Sequence, residues 1–471
     1  MKIKTFLLSL FLCTMAGSTF SVDLSPDKCL WYQTPAHSWG NEALHLGNGY
    51  MGASFYGGID KECFNIAEKT FWTGGPNVTP NYNYGIKEGG KDKIGLIRQA
   101  IAQNQISRAD SLANLYMLGN YDGFGDFSKV GELYLEFDAA PNTVSNYLRG
   151  LDLEHSIGFV EYDKGNVHFN REYFCSYPDK VIALHLSADK QGSINTSISQ
   201  DLLYHATSIQ WEKGNELIAQ GVITASGLKY CVRIKVLKQG GEISYKAGKI
   251  TIAKANEATI LYTVSTEYDA KSTNFKGVNP FAETDKNMKI AASQSYETLK
   301  NKHISDYQAL FGRVSFTLKG DAKLESLPTD QRVTQLKKGT IDDSALKTLY
   351  FNFGRYLLIS ASRPGTLPST LHGVWNDKPK GSWSANYQSN INIQEMYWAA
   401  GPTQLAECQE AYIDWIEGLV EPGRKVAQAY YGTGGWVSHA TGNIWKYASP
   451  GYDLLWGLYP TGSAWHCLHP W

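Results

Sequence analysis

The sequence predicts a multidomain β + α protein, a large N-terminal β-sandwich followed by a toroid of helices. Three observations carry that prediction. From about residue 22 to 300, apolar residues recur with period two between turn residues; after about residue 285 the recurrence is helical. Nine of the 13 tryptophans then fall between Trp375 and Trp471. The length of 471 residues is about three times a ~150-residue domain, which accommodates both parts.

The first element is a leader. Lys2 and Lys4 precede the apolar run 6–15, and Ala16, Gly17 and Ser18 follow, the order of a secretory signal peptide over residues 1–21. The mature chain is expected to start near Val22 and to be secreted or periplasmic. Leu12 stands before Cys13, where lipid anchoring wants a small residue, so a free exported protein is expected. No later run reaches the ~18 apolar residues of a membrane span. Six further cysteines, from Cys29 to Cys467, are too sparse for a disulfide framework. Neither they nor the histidines have zinc spacing, so no metal and no cofactor are expected.

Residues 22–285 form the sandwich. Tyr230, Val232, Ile234 and Val236 share one face of a strand, with Cys231, Arg233 and Lys235 on the other, while 181–186 and 259–264 are dense runs suited to strands covered on both faces. No repeat of 20–50 residues suggests a propeller or solenoid. The charged stretch 322–338 is the natural junction within a helical linker, 286–340. From 341 to 471 the stripes are helical. Leu346, Leu349, Tyr350, Phe353 and Leu357 follow a candidate cap, Asp342, and Arg363-Pro364-Gly365 closes the helix. Leu405, Cys408, Tyr412, Trp415, Ile416 and Leu419 form a second stripe ended by Glu421-Pro422-Gly423; a third helix, 424–430, stops at Gly432.

Charge narrows the function. Lys+Arg 44 against Asp+Glu 45 is a net charge of −1, with no single-sign block, so no nucleic-acid or lipid-headgroup partner is expected. The tryptophans of the helical half suit a saccharide, whose apolar ring face lies on an aromatic while amide and imidazole groups bond its hydroxyls. The loops 371–376, with His372 and Trp375, and 435–439, with His439, mix those groups. In the segment 387–398, Asn390 and Asn392 stand two apart. In an extended lead-in to a helix their amides face one side and can grip a water or a hydroxyl; equally, one of them is the N-cap of that helix.

Four stretches together resemble glycoside hydrolase family 95, mainly α-L-fucosidases with some α-L-galactosidases. They are 43–53 with Gly57-Gly58, Glu68 and 71–76; Tyr147-Leu148-Arg149 to Leu153 with Arg171-Glu172-Tyr173-Phe174 and Pro178-Asp179; His303, Asp306-Tyr307 and Leu310-Phe311; and 367–376, Asn390-Ile391-Asn392 and 431–445. The resemblance spans the mature chain. It implies an N-terminal β-supersandwich on an (α/α)6 barrel and hydrolysis by inversion, with a Glu as acid and a water held by paired amides matching Asn390 and Asn392, one polarised by an Asp.

Relative to that family the chain is expected to be truncated, with both carboxylates beyond residue 471 and the (α/α)6 toroid incomplete. Gln388 stands where many family fucosidases have His, Glu395-Met396 replaces Met-Asn, and Ala440 stands where a second His follows the first. Glu395 is also a natural solvated first-turn residue. The expected site is therefore Asn390 and Asn392 as catalytic residues, with His372, Trp375, Gln388, Trp398, His439 and Trp465 binding a fucosylated or related glycan. The leading function is an exported exo-glycosidase acting on terminal α-L-fucosyl or α-L-galactosyl residues, inactive as this chain alone. The rivals are a non-catalytic sugar-binding or structural remnant and a glycoside phosphorylase, for which no basic Gly-rich phosphate loop is found. The sequence carries no signal for oligomeric state.

Overall fold

The computed structural model describes residues 24–138, 143–339 and 341–470, so the leader at 1–21 lies outside the described residues. Fourteen strands form one antiparallel sheet: β1 (Cys29–Tyr32), β2 (Leu44–Gly47), β3 (Met51–Phe55), β4 (Lys61–Trp72), β5 (Phe127–Phe137), β6 (Val144–Asp152), β7 (Ile157–Lys164), β8 (Val167–Ser176), β9 (Val181–Ala188), β10 (Ile194–Leu202), β11 (Ala206–Glu212), β12 (Glu216–Ile223), β13 (Leu228–Lys246) and β14 (Lys249–Thr266). Their order is β1-β6-β7-β8-β9-β14-β10-β5-β4-β3-β2, with β13, β12 and β11 branching from β14. The sheet curls until β2 and β3 pack on β8. Phe55 and Phe64 meet the ring of Tyr173 edge-on at 5.1 and 4.9 Å inside that curl. Two helices not anticipated from periodicity, α1 (Ile94–Ala102) and α2 (Ile106–Tyr116), leave the sheet between β4 and β5.

The two faces of β13 behave differently from their alternation. Cys231 and Arg233, read as the second face, are as buried as Val232 and Ile234. The reason is α3 (Pro280–Ala292), which covers that face: Arg233 donates to Thr284 Oγ1 at 3.3 Å and pairs with Glu216 at 2.9 Å. Helix α3 begins five residues before the expected change of period, because Asn279 caps it by accepting from the Ala282 N–H.

Helices α4 (Tyr296–Phe311), α5 (Ala322–Glu325) and α6 (Thr329–Lys337) lead into α7 (Ser344–Ala361). The cap of α7 is Asp343, not Asp342. Asp343 accepts from the Leu346 N–H at 2.8 Å and pairs with Arg332 at 2.8 and 2.9 Å, both side chains buried, whereas Asp342 is exposed. After α8 (Asn392–Trp398), α9 (Ala406–Val426) runs straight through Pro422 and Gly423. The expected stop there and the separate third helix are therefore corrected. Pro422 deprives the Gly418 carbonyl of its helical donor, yet Pro422 and Gly423 are buried and packing holds the helix. The chain continues as a π-turn, Ala427–Tyr431, until Gly432 takes φ 64°. Short helices α10 (Leu454–Gly457) and α11 (Gly462–His466) and a two-stranded ribbon, β15 (Tyr387–Gln388) with β16 (Thr441–Gly442), complete the described elements.

The β2–β3 hairpin locks the two parts together. Tyr356 donates to the His45 carbonyl at 2.6 Å, the Gly49 N–H to Ser360 at 2.8 Å, and the Trp375 indole to Leu46 at 2.7 Å. Approach is so close that a Cβ on Gly47 would stand 2.6 Å from the Ser360 oxygen. On the other flank Tyr268 bonds the Ile444 carbonyl and Trp445 the Thr73 carbonyl, at 2.7 and 2.8 Å. No described helix is long and apolar enough to cross a membrane.

Candidate active site

The Asn390–Asn392 turn is held from both sides. Tyr387 and Gln388 pair with Gly442 and Thr441, and the Ser389 N–H extends that ladder to the Ala440 carbonyl at 2.7 Å. From the helix side, Gln394 donates to the Ser389 carbonyl at 2.7 Å. The cap position of α8 falls on Ile391 with no side-chain cap bond, so neither asparagine spends its amide as an N-cap. Asn390 is half-buried and Asn392, at the first helical residue, is exposed. Asn390 Oδ1, Ser389 Oγ, Gln394 Oε1 and Ser438 Oγ are buried polar atoms with no hydrogen-bond partner among the described residues. Buried polar atoms are nearly always satisfied. Their concentration on one turn and its neighbouring strand suits a group that brings its own hydroxyls.

The other expected residues divide. Gln388 and Trp465 are half-buried, and Trp398 is half-exposed at the end of α8. His439, by contrast, is sealed: its Nδ1–H donates to the Ala448 carbonyl and its Nε2 accepts from Tyr431, each at 2.8 Å. Burial pushes its pKa down to about 4, so this neutral ring braces the Ser438–Thr441 segment and has no nitrogen left for a sugar. Trp375 is likewise a core residue. Its indole N–H is spent on Leu46 and its ring lies 5.6 Å from His45. His372 belongs with that interface cluster, 6.1 Å from Trp39, on a tight Thr370–Gly373 turn; it is half-buried, its Nδ1 has no partner among the described residues, and burial lowers its pKa. Glu395 is exposed in the first turn of α8, as a solvated residue.

Two features were not read from sequence. Beneath β15 lies an aromatic wall: Trp415 meets Tyr387 edge-on at 5.0 Å and His466 at 5.5 Å, and the Tyr412 hydroxyl shares a hydrogen bond with His466 Nδ1 at 2.5 Å. The i, i+3 spacing of Tyr412 and Trp415 was the available signal. Secondly, a cleft of about 990 Å3 separates α9 from the sandwich, lined among others by Trp415, Asp414, Tyr50, Thr266 and Glu68. Neither Asn390 nor Asn392 lines it; Trp415 stands between the cleft and Tyr387. Burial raises the Glu68 carboxyl to about 7 against the Thr70 N–H and hydroxyl that it accepts from. Among the described residues no cluster of side chains could hold a metal ion.

Comparison with known proteins bears on this arrangement. Residues 295–471 match the glycosyl hydrolase family 95 catalytic domain, and residues 30–271 the glycosyl hydrolase family 65 N-terminal domain. Residues 295–471 are of the glycoside hydrolase family 95 type. The curated relatives agree with that match: the chain is 34% identical to Alpha-L-fucosidase 2 of Arabidopsis thaliana over 95% of this chain and 56% of that protein. It is 30% identical to Probable alpha-fucosidase A of Aspergillus niger over 94% of this chain and 57% of that protein. The chain thus spans a little over half the length of these curated relatives. Among solved structures, a putative kojibiose phosphorylase from the human microbiome superposes with TM-score 0.54 at 10% identity, covering 90% of this chain and 52% of that one, a likeness of fold alone. Family 95 and that fold agree with a curled sandwich followed by (α/α)6-type helices.

Proposed function

We propose that the protein is an exported exo-glycosidase that hydrolyses terminal α-L-fucosyl, or the closely related α-L-galactosyl, residues of glycans with inversion. Asn390 and Asn392 hold the attacking water. The observation that carries this reading is the turn pinned by Ser389–Ala440 and Gln394–Ser389, with the Asn390 side-chain oxygen Oδ1 left without a hydrogen-bond partner among the described residues. The names of the relatives supply the sugar.

Inversion needs an acid and a base on opposite faces of the ring, about 6.5–9.5 Å apart. An amide is too weak a base alone, and the family resemblance assigns both the acid and the polarising carboxylate to positions outside these 471 residues. The 471-residue chain is therefore proposed to bind the sugar without releasing it. Export rests on the 1–21 leader.

The test is calorimetric titration of the chain with methyl α-L-fucoside and methyl α-L-galactoside, beside hydrolysis of the matching aryl glycosides. Binding of either sugar that N390A and N392A abolish supports the reading; wild-type affinity in both variants overturns it. Aryl fucoside hydrolysis at ordinary enzymatic rates by the 471-residue chain would sink the proposed inactivity.

A further inference from the structure

We propose that Trp383 is an aromatic platform for the part of the glycan beyond the terminal sugar, a contact that rests on the functional reading above. The observation behind it is backbone strain. Trp383, Ser384 and Ala385 have φ of 50°, 60° and 44°, the one run of consecutive non-glycine residues with positive φ among the described residues. The left-handed conformation brings Cβ against the following carbonyl oxygen, so L-residues adopt it singly and seldom in series. Strained backbone persists where the surroundings over-determine it, and such places cluster at ligand clamps.

Burial of the indole does not account for this turn. Ser384, Ala385 and Asn386 are buried at 9%, 0% and 2%, while Trp383 is turned outward to 73% exposure. The turn is nevertheless rigidly seated. The Ser384 N–H closes it on the Gly381 carbonyl at 3.0 Å, and the Asn386 carbonyl accepts from Leu371 at 3.2 Å. Strand β5 holds the approach, with Ser128 donating to Pro379 at 2.7 Å and the Lys129 N–H to Lys378 at 3.1 Å. From Ala385 the chain enters β15 within two residues and reaches Asn390 at the end of the same segment. His372 lies at the base of the turn, 3.1 Å from where a Cβ on Gly381 would stand.

A fixed, outward-facing indole joined by a rigid strand to the sugar-holding turn matches an uncharged pyranose, whose C–H face lies on an aromatic ring. The ligand class is the neutral glycosyl unit to which the terminal sugar is attached.

The experiment is calorimetric titration of the full chain with methyl α-L-fucoside and with the trisaccharide 2′-fucosyllactose, for wild type, W383A and W383F. The expected result is an affinity for the trisaccharide about three- to tenfold weaker in W383A, partly retained in W383F, with methyl fucoside affinity and the thermal midpoint unchanged. Wild-type trisaccharide affinity in W383A, or equal weakening of both ligands, overturns the platform alone. If the wild-type chain binds neither ligand, the functional reading fails and the platform falls with it.

Discussion

The side-chain amide of Gln394 donates to the backbone carbonyl of Ser389 at 2.7 Å, buckling the first turn of α8 to the residue that precedes Asn390. Gln394 is fully buried. Removing it leaves the Ser389 carbonyl unpaired, a cost of about 1–3 kcal/mol, and frees the Asn390 turn. Q394A is expected to lower the thermal midpoint and to weaken methyl α-L-fucoside binding together. Lower stability with unchanged sugar affinity would show that the Ser389–Ala440 ladder alone holds the turn.

Asn390 and Asn392 should separate stability from function. Asn390 Oδ1 has no hydrogen-bond partner among the described residues and Asn392 is exposed, so N390A and N392A are expected to change unfolding free energy by less than about 0.5 kcal/mol. Urea unfolding measures that, and titration with sugar measures the loss of binding. A large drop in stability would assign the pair a structural role.

Between about pH 4 and 7 two sets of buried groups push stability in opposite directions. Burial holds His45, His185 and His439 near 4 and His466 near 3, below the ~6.5 of an unfolded imidazole. The unfolded chain then binds more protons, so stability present above pH ~6.5 is lost as pH falls toward 4. Glu68 runs the other way. Its folded pKa near 7 exceeds the ~4.3 of an unfolded Glu, so its contribution is present below pH ~4.3 and is lost as pH rises to 7, on the order of 3 kcal/mol. Denaturant melts from pH 4 to 8 should show that E68Q gains stability over wild type as pH rises to 7; parallel profiles would place the Glu68 titration elsewhere.

The Arg332–Asp343 pair ties the linker to the start of α7 with both side chains buried, and Arg332 also bonds the Pro26 carbonyl at 2.6 Å. Burial opposes the Asp343 charge, but Arg332 and the Leu346 N–H outweigh it and hold the carboxyl below its usual range. Its stabilisation is therefore complete above pH ~3.9 and lost only as pH falls through the lower folded value. R332M leaves a buried carboxylate unpaired and is expected to cost about 3–5 kcal/mol by urea unfolding at pH 7. A cost below about 1 kcal/mol, the range of exposed pairs, would contradict the burial.

Periodicity made the sandwich and the stripes of α7 and α9 legible, because a strand or helix with one covered face must space its apolar residues at two or 3.6; Asn392, read as part of an extended lead-in, is instead the first residue of α8. It reports nothing about which distant backbone supplies a partner. Gln388 meets Thr441, and Trp375 meets Leu46, across long stretches of chain. His439 and Trp375 read as sugar-contacting groups for that reason; only the fold shows their polar atoms already taken. Pro422 reads as a stop, and burial overrides it.

The amino-acid order on its own determined the two-part architecture and the enzyme family, since these rest on local spacing and on motifs in series. The tertiary structure decided which polar atoms remain unspent and where an indole faces outward, because those follow from neighbours brought together by packing.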